Sequence, residues 1–190
     1  MTRPVFHLIK FLVGLEGPKT QVTDNELKCL IHYSQKARVV VELGCYEGRT
    51  TAELARNCEG SVYTVDPFCK GRLGFSYGEV IARRHIKRQG LKNIHFIESF
   101  SYQAAEEFDN SIDFLFIDAD HSYEAVKQDW NDWYPKVRPG GFIALHDSRV
   151  AENSPGYMGS MQFYDEDLPK VKSVNEVDGI DSLAVVQVSR

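Results

Sequence analysis

Two short stretches of this 190-residue chain gather groups that can hold or move a proton: Asp118-Ala119-Asp120-His121 and His146-Asp147-Ser148. Each follows an apolar, β-rich run, which puts several oxygen and imidazole groups at one edge of a sheet. Such groups suit general acid–base work near neutral pH. A third stretch, Glu42-Leu43-Gly44-Cys45-Tyr46-Glu47-Gly48, sits where a strand would turn into a helix, and its glycines let the backbone approach a ligand closely.

That loop lacks the Gly-Lys-Ser/Thr of a phosphate-cradling loop and the closer glycine spacing of the dinucleotide fingerprint, which argues against a bound diphosphate. Asp66 adds to it: an acid ending the second strand about twenty residues on can accept hydrogen bonds from both ribose hydroxyls. The bland alternative is a tight structural turn plus an exposed loop acid.

The elements that must position these residues are legible from periodicity. Arg38–Leu43, Ser61–Asp66, Asn93–Glu98, Ile112–Asp118 and Gly141–His146 are mostly apolar, as expected for parallel strands covered on both faces. Glu47–Asn57, Tyr77–Gln89, Tyr102–Phe108 and His121–Tyr134 carry helical spacing, with Val126, Trp130 and Trp133 expected in the core. Pro139-Gly140-Gly141 is expected to turn the chain into the fifth strand. Val171–Val177 and Leu183–Val188 flank Asp178–Ser182 and predict a terminal antiparallel hairpin. The sum is an α/β fold: a Rossmann-like, doubly wound, mostly parallel sheet of seven strands.

One domain is expected for this length, with a helical cap over residues 1–37, a ligand-binding core over 38–148, and a lid plus hairpin over 149–190. Ser148–Gly159, rich in Ser, Gly and Pro, is long enough to act as the lid. Gly71, Gly74 and Gly78, among Phe68, Phe75 and Tyr77, suggest an aromatic loop closing over a ligand, or a plain connector, with Lys70 and Arg72 facing solvent.

A net charge of −5 repels a phosphate backbone. The one basic cluster, Arg83, Arg84, His85, Lys87 and Arg88, reads as a solvated helix face, so no nucleic-acid partner is expected. Cys29, Cys45, Cys58 and Cys69 form no CxxC or Cys/His pair, which fits free thiols in a reducing, cytoplasmic compartment. Val5–Leu15 is too short to span a bilayer, and no membrane partner is expected.

Val40-Val41-Glu42-Leu43-Gly44 through Gly48, Val62–Asp66, Phe116–His121 and Arg138-Pro139-Gly140-Gly141 together resemble class I S-adenosylmethionine-dependent methyltransferases over about Arg38–Ser148. The resemblance implies Glu42, Gly44 and Gly48 around the methionine part of S-adenosylmethionine, Asp66 on its ribose, and Ser99 and Phe100 near its adenine. An acidic cleft also suits a sulfonium cation.

The ends of strands four and five are similar to those of the cation-dependent small-molecule O-methyltransferases, including catechol O-methyltransferase. That similarity implies Asp118 and Asp147 as ligands of a hard divalent cation such as magnesium, and His121 in the position of the catalytic base. Two departures stand out: His121 replaces the usual Lys, and Ser148 the usual Asn. His121 alternatively begins a helix that Asp120 helps to cap. His146 is a third ligand, a second proton acceptor, or a hydrogen-bonded histidine at a buried strand end.

The expected activity is transfer of a methyl group from S-adenosylmethionine to a hydroxyl of a small sugar, polyketide-like or phenolic acceptor. An NAD-type oxidoreductase and a non-catalytic cofactor-binding protein are the alternatives.

Overall fold

The computed structural model describes residues 4–71, 73–151 and 156–189. Two helices, α1 (Pro4–Leu12) and α2 (Asp24–Ser34), precede strand β1 (Val39–Leu43). Then come α3 (Arg49–Asn57), β2 (Ser61–Val65), α4 (Tyr77–Arg88), β3 (Ile94–Ile97), α5 (Ser101–Glu107), β4 (Ile112–Ile117), α6 (Tyr123–Trp133) and β5 (Val137–Leu145). Helix α7 (Gly159–Glu166) and strands β6 (Val174–Ile180) and β7 (Leu183–Val188) complete the chain.

The seven strands form one sheet in the order β3-β2-β1-β4-β5-β7-β6. Strands β1 to β5 pair in parallel, while β7 enters antiparallel between β5 and β6. The predicted mixed sheet and terminal hairpin are therefore present. Because β1 lies between β2 and β4, the strand order reverses there, and the carboxyl ends of β1 and β4 open a crevice where such sheets bind ligands.

Alternation along the strands divides the core between the two faces. Val41, Leu43, Leu115, Ile117, Ile143 and Leu145 face one layer, where Val126, Trp130, Trp133 and Phe163 meet them. Val40, Phe114, Phe116 and Ala144 face the other, against Leu30 and Leu54. Both tryptophans belong to the core as expected, since each is at most 4% exposed. Burying side chains of this size contributes roughly 1.5–3 kcal/mol apiece, so the sheet is a firm platform for its loops.

Two local expectations are corrected. Pro139-Gly140-Gly141 is not a turn before β5 but an irregularity inside it, and the β4–β5 register shifts there. Gly140, with φ of +77°, lets the strand absorb the extra residues. The hairpin turn is shorter than Asp178–Ser182, because β6 runs to Ile180 and only Asp181 and Ser182 connect the strands. Asp181 supplies the positive φ, +51°, that a tight hairpin turn requires. Helix α7 begins at Gly159, the last residue of the expected lid, and its eight residues are too short a pattern to read from sequence.

The aromatic loop packs away from the crevice. Phe75 and Tyr77 meet edge to face and join Leu8, Phe11 and Ile81, fastening α1 to α4. Phe68 is buried against Cys45, Ala82 and Phe96. Residues 152–155 of the expected lid, and Arg72, lie outside the described residues.

The basic face of α4 is partly occupied within the chain. Arg83 pairs with Glu79 and Glu98, and Arg88 donates to the carbonyls of Phe11 and Leu12. All four cysteines are free. Among the described residues, no helix is long and apolar enough to cross a membrane.

Candidate active site

A cleft of about 640 Å³ opens at the carboxyl ends of β1, β2 and β4. Its walls include Glu42, Gly44, Asp66, Phe100, Asp118 and His121, all singled out by sequence. Ser99 is not a wall residue; its hydroxyl donates to the Phe100 carbonyl, and Ser101 and Tyr102 line the cleft instead. Gly48 lies behind the wall, heading α3 with φ of +74° and packed on Ala82.

The glycine loop is built by close approach. A side chain at Gly44 would put its Cβ 2.1 Å from the Asp118 carbonyl oxygen, so only glycine lets β1 leave the sheet beside β4. Asp66 braces the turn from β2. Its Oδ2 accepts the N–H groups of Cys45 at 3.0 Å and Tyr46 at 3.1 Å, and its Oδ1 accepts that of Phe68 at 2.7 Å. Oδ2 is filled by its two bonds, while Oδ1 keeps capacity for one further donor.

Glu42 is 1% exposed, and its Oε2 accepts hydrogen bonds from the Thr51 and Thr64 hydroxyls. Burial pushes its pKa up to about 8; the threonines oppose the rise, and the nearby Asp118 and Asp66 add to it. It is therefore largely protonated at pH 7, and an incoming cation would favour its ionised form.

The second cluster is a ring of donor atoms. Asp118 Oδ1 lies 2.8 Å from His146 Nδ1, which is 3.5 Å from Asp147 Oδ2; His121 Nε2 closes the ring at 3.7 Å from Asp147 and 3.8 Å from Asp118. The Asp118, His121 and His146 donors all fall within 4.8 Å of one another. His146 Nδ1 is close enough to Asp118 for ion pairing yet makes no hydrogen bond of acceptable geometry, which is unusual for a residue 4% exposed.

The far side of His146 faces Glu26, a residue sequence reasoning missed. His146 Nε2 is 3.4 Å from Glu26 Oε2, while Glu26 Oε1 accepts from the Ser182 N–H and hydroxyl at 3.0 and 2.7 Å. Burial works against charge on both partners but is outweighed. Asp118 and Glu26 lift the His146 pKa to about 10, and His146, Thr23 and Ser182 hold that of Glu26 down to about 2. A signal existed in Thr23-Asp24-Asn25-Glu26, a capping box at the start of α2, but it foretells a helix end and not a partner 120 residues away.

Neighbouring segments hold the ring in place. Asp120 accepts the Ser122 N–H at 2.8 Å, so His121 stands in a loop before α6 and not in the helix. From α7, the Ser160 N–H donates to the His121 carbonyl at 3.1 Å, and its hydroxyl to the Asp147 carbonyl at 2.5 Å. A Cβ on Gly159 would meet the Tyr123 nitrogen at 2.0 Å, so this docking requires glycine. Asp147 has a positive φ of +49°, an uncommon conformation that aims its carboxylate into the ring.

The N-terminal segment adds more wall than expected. Lys19, Thr20 and Gln21 line the cleft. His7 bridges Glu16 at 2.7 Å and Glu47 at 2.9 Å, fastening α1 to the glycine loop. Asp129 of α6 also lines the cleft, 6% exposed, with its pKa pushed up to about 6 by burial.

Known proteins share both sequence and architecture with this chain. A protein of Acanthamoeba polyphaga mimivirus, "Uncharacterized protein R132", is 30% identical over 130 residues, covering 62% of this chain, which spans 55% of that relative's length. The O-methyltransferase TomG from Streptomyces achromogenes, solved in complex with SAM, superposes with a TM-score of 0.71 at 14% identity, covering 100% of this chain and 91% of its own. An O-methyltransferase from Bacillus cereus, solved in complex with SAH, gives 0.69 at 18% identity, with coverage of 98% and 90%. Residues 41–148, from the middle of β1 past the ring at the end of β5, match the family described as methyltransferase domain. With that match on the strand order and cleft described above, the chain belongs to the methyltransferase domain family, in its class I form.

Proposed function

We propose that the protein transfers the methyl group of S-adenosylmethionine to a hydroxyl of a small molecule. The observation that carries this reading is a cleft walled by Glu42, Asp66 and Asp118 at the strand ends of a methyltransferase-family sheet. Two structural neighbours, solved with SAM and with SAH, support it. When bound, S-adenosylmethionine supplies a methyl group on a cationic sulfur that is already a good leaving group.

The chain then has little to do beyond positioning and proton removal. The three acids compensate the positive sulfur in a partly dry cleft. Asp66 accepts from a ribose hydroxyl at Oδ1, and Phe100 with Tyr102 offers an aromatic surface to the adenine. His121 takes the acceptor's hydroxyl proton at Nε2, and the imidazolium so formed is stabilised by Asp118 and Asp147, each within 4 Å of that atom.

His146 Nδ1, buried beside two carboxylates without a hydrogen bond of acceptable geometry, fits a cation that takes the place of its proton. Asp118 and Asp147 would hold it, and its charge would favour the acceptor's alkoxide over its alcohol. The acidic net charge and the arginines already paired on α4 favour a small acceptor over nucleic acid.

Calorimetric titration with S-adenosylhomocysteine, beside NAD as a control, tests the reading. Saturable one-to-one binding of the first alone is expected, followed by methyl transfer from labelled S-adenosylmethionine to members of a sugar, polyketide and phenol panel. Binding of NAD alone would return the chain to the oxidoreductases. Binding of S-adenosylhomocysteine without turnover would leave a cofactor-binding protein.

A further inference from the structure

We propose that the cation site is a mixed nitrogen–oxygen site for a divalent transition-metal ion, with His146 Nδ1 as its anchor beside Asp118 and Asp147. It deepens, and rests on, the reading of a cation-assisted methyltransferase. The argument begins from the one orphan: His146 Nδ1 is the sole buried side-chain nitrogen or oxygen among the described residues without a hydrogen-bond partner. Two carboxylate oxygens, of Asp118 and Asp147, lie 2.8 and 3.5 Å from it. Ligand atoms around one ion of this size stand about 3 to 3.5 Å apart when each bond is about 2.1 Å, a range that both separations from His146 Nδ1 approach.

The far nitrogen of the same ring is oriented by a fixed carboxylate. His146 Nε2 faces Glu26, which is fully buried and held by Thr23 and Ser182. Once an incoming cation has displaced the proton from Nδ1, the proton kept on Nε2 and given to Glu26 leaves the Nδ1 lone pair to the ion, the carboxylate–histidine arrangement that sets the tautomer of metal-ligating imidazoles. Imidazole nitrogen favours ions such as zinc, cobalt and iron over magnesium, which takes oxygen donors. His121, on the exposed side of the ring, stays free to take a proton. The magnesium expectation, drawn from carboxylates alone, therefore gives way to a softer ion.

The test needs no methyl donor, so its outcome is separate from that of the S-adenosylhomocysteine titration. Metal-free protein is titrated with cobalt chloride, followed by visible absorption, and with magnesium chloride, followed by calorimetry. The expected result is one Co²⁺ per chain, bound at least 100-fold more tightly than Mg²⁺. His146→Ala should weaken Co²⁺ at least 100-fold, Glu26→Gln about 10-fold, and His121→Ala less than threefold. Should the His146 variant fail to fold, the Co²⁺ form of the unaltered protein should show a hyperfine-shifted, slowly exchanging imidazole N–H proton from His146 Nε2. Equal affinity for Mg²⁺, unchanged Co²⁺ binding in folded His146→Ala, or absence of the shifted proton would overturn the assignment. Loss of the ion in His121→Ala would do the same, by making His121 a ligand.

Discussion

The two halves of the cleft are built on opposite plans. At the ends of β1 and β2, each acid is answered by groups nearby in the chain or on the next strand: Asp66 by the N–H groups of Cys45, Tyr46 and Phe68, Glu42 by Thr51 and Thr64. At the ends of β4 and β5, carboxylates and imidazoles converge with one donor atom unanswered. A satisfied cradle is rigid before a ligand arrives, while an unsatisfied ring is completed by one. The first half suits recognition of a constant cofactor, and the second suits chemistry.

If that division holds, the largest effect of a single change falls on turnover at the second half. His121→Ala should slow methyl transfer by about 10²- to 10⁴-fold while S-adenosylhomocysteine affinity stays within threefold. Single-turnover transfer beside calorimetry checks both, and equal losses in the two would erase the contrast.

In the first half the corresponding change strikes binding and fold together. Gly44→Ala drives a Cβ to 2.1 Å from the Asp118 carbonyl and is strained in any case at φ of +94°. A loss of about 3 kcal/mol in denaturant unfolding is expected. Asp66→Ala leaves three loop N–H groups without their acceptor and should cost about 1–3 kcal/mol, with cofactor affinity down by more than tenfold. A variant that kept its affinity would make Asp66 a brace alone.

A smaller effect sharpens the electrostatic side. Glu42 has its pKa raised in the folded chain from 4.5 to about 8. The folded state thus holds the extra proton, and Glu42's contribution is full below pH 4.5 and lost as pH rises toward 8. Glu42→Gln, neutral throughout, should melt close to the unaltered protein at pH 5 and roughly 5 °C above it at pH 8. The rise of His146 acts in the same direction but is present in both proteins, so the difference between their melting curves isolates Glu42. Smallest is His7→Ala, which unties α1 from Glu47. It should lower stability by about 1 kcal/mol and speed proteolysis at the N-terminus.

The same division marks how far sequence reasoning reached. Strand runs, the glycine loop, Asp66 and the two acidic strand ends were readable because each depends on a short stretch: alternation, a turn that needs glycine, an acid at a strand's carboxyl end. Even there, the glycine pair at Gly140 signals a break without saying whether it lies before or inside a strand, and the structure puts it inside. The shift from Ser99 to Ser101 as a wall residue is the usual uncertainty of where a strand ends.

The sequence by itself determined the sheet, its family resemblance and the acids that line its crevice, because backbone pattern and turn chemistry are local. Only the tertiary structure decided which groups answer one another. It set Glu26 from α2 behind His146 at the end of β5, brought Ser160 of α7 onto the backbones of His121 and Asp147, and fastened α1 to the glycine loop through His7. Those contacts join segments as much as 120 residues apart. They exist because packing the helices on both faces of the sheet buries apolar surface, and the polar groups drawn in with them must then find partners among whatever the fold has made neighbours.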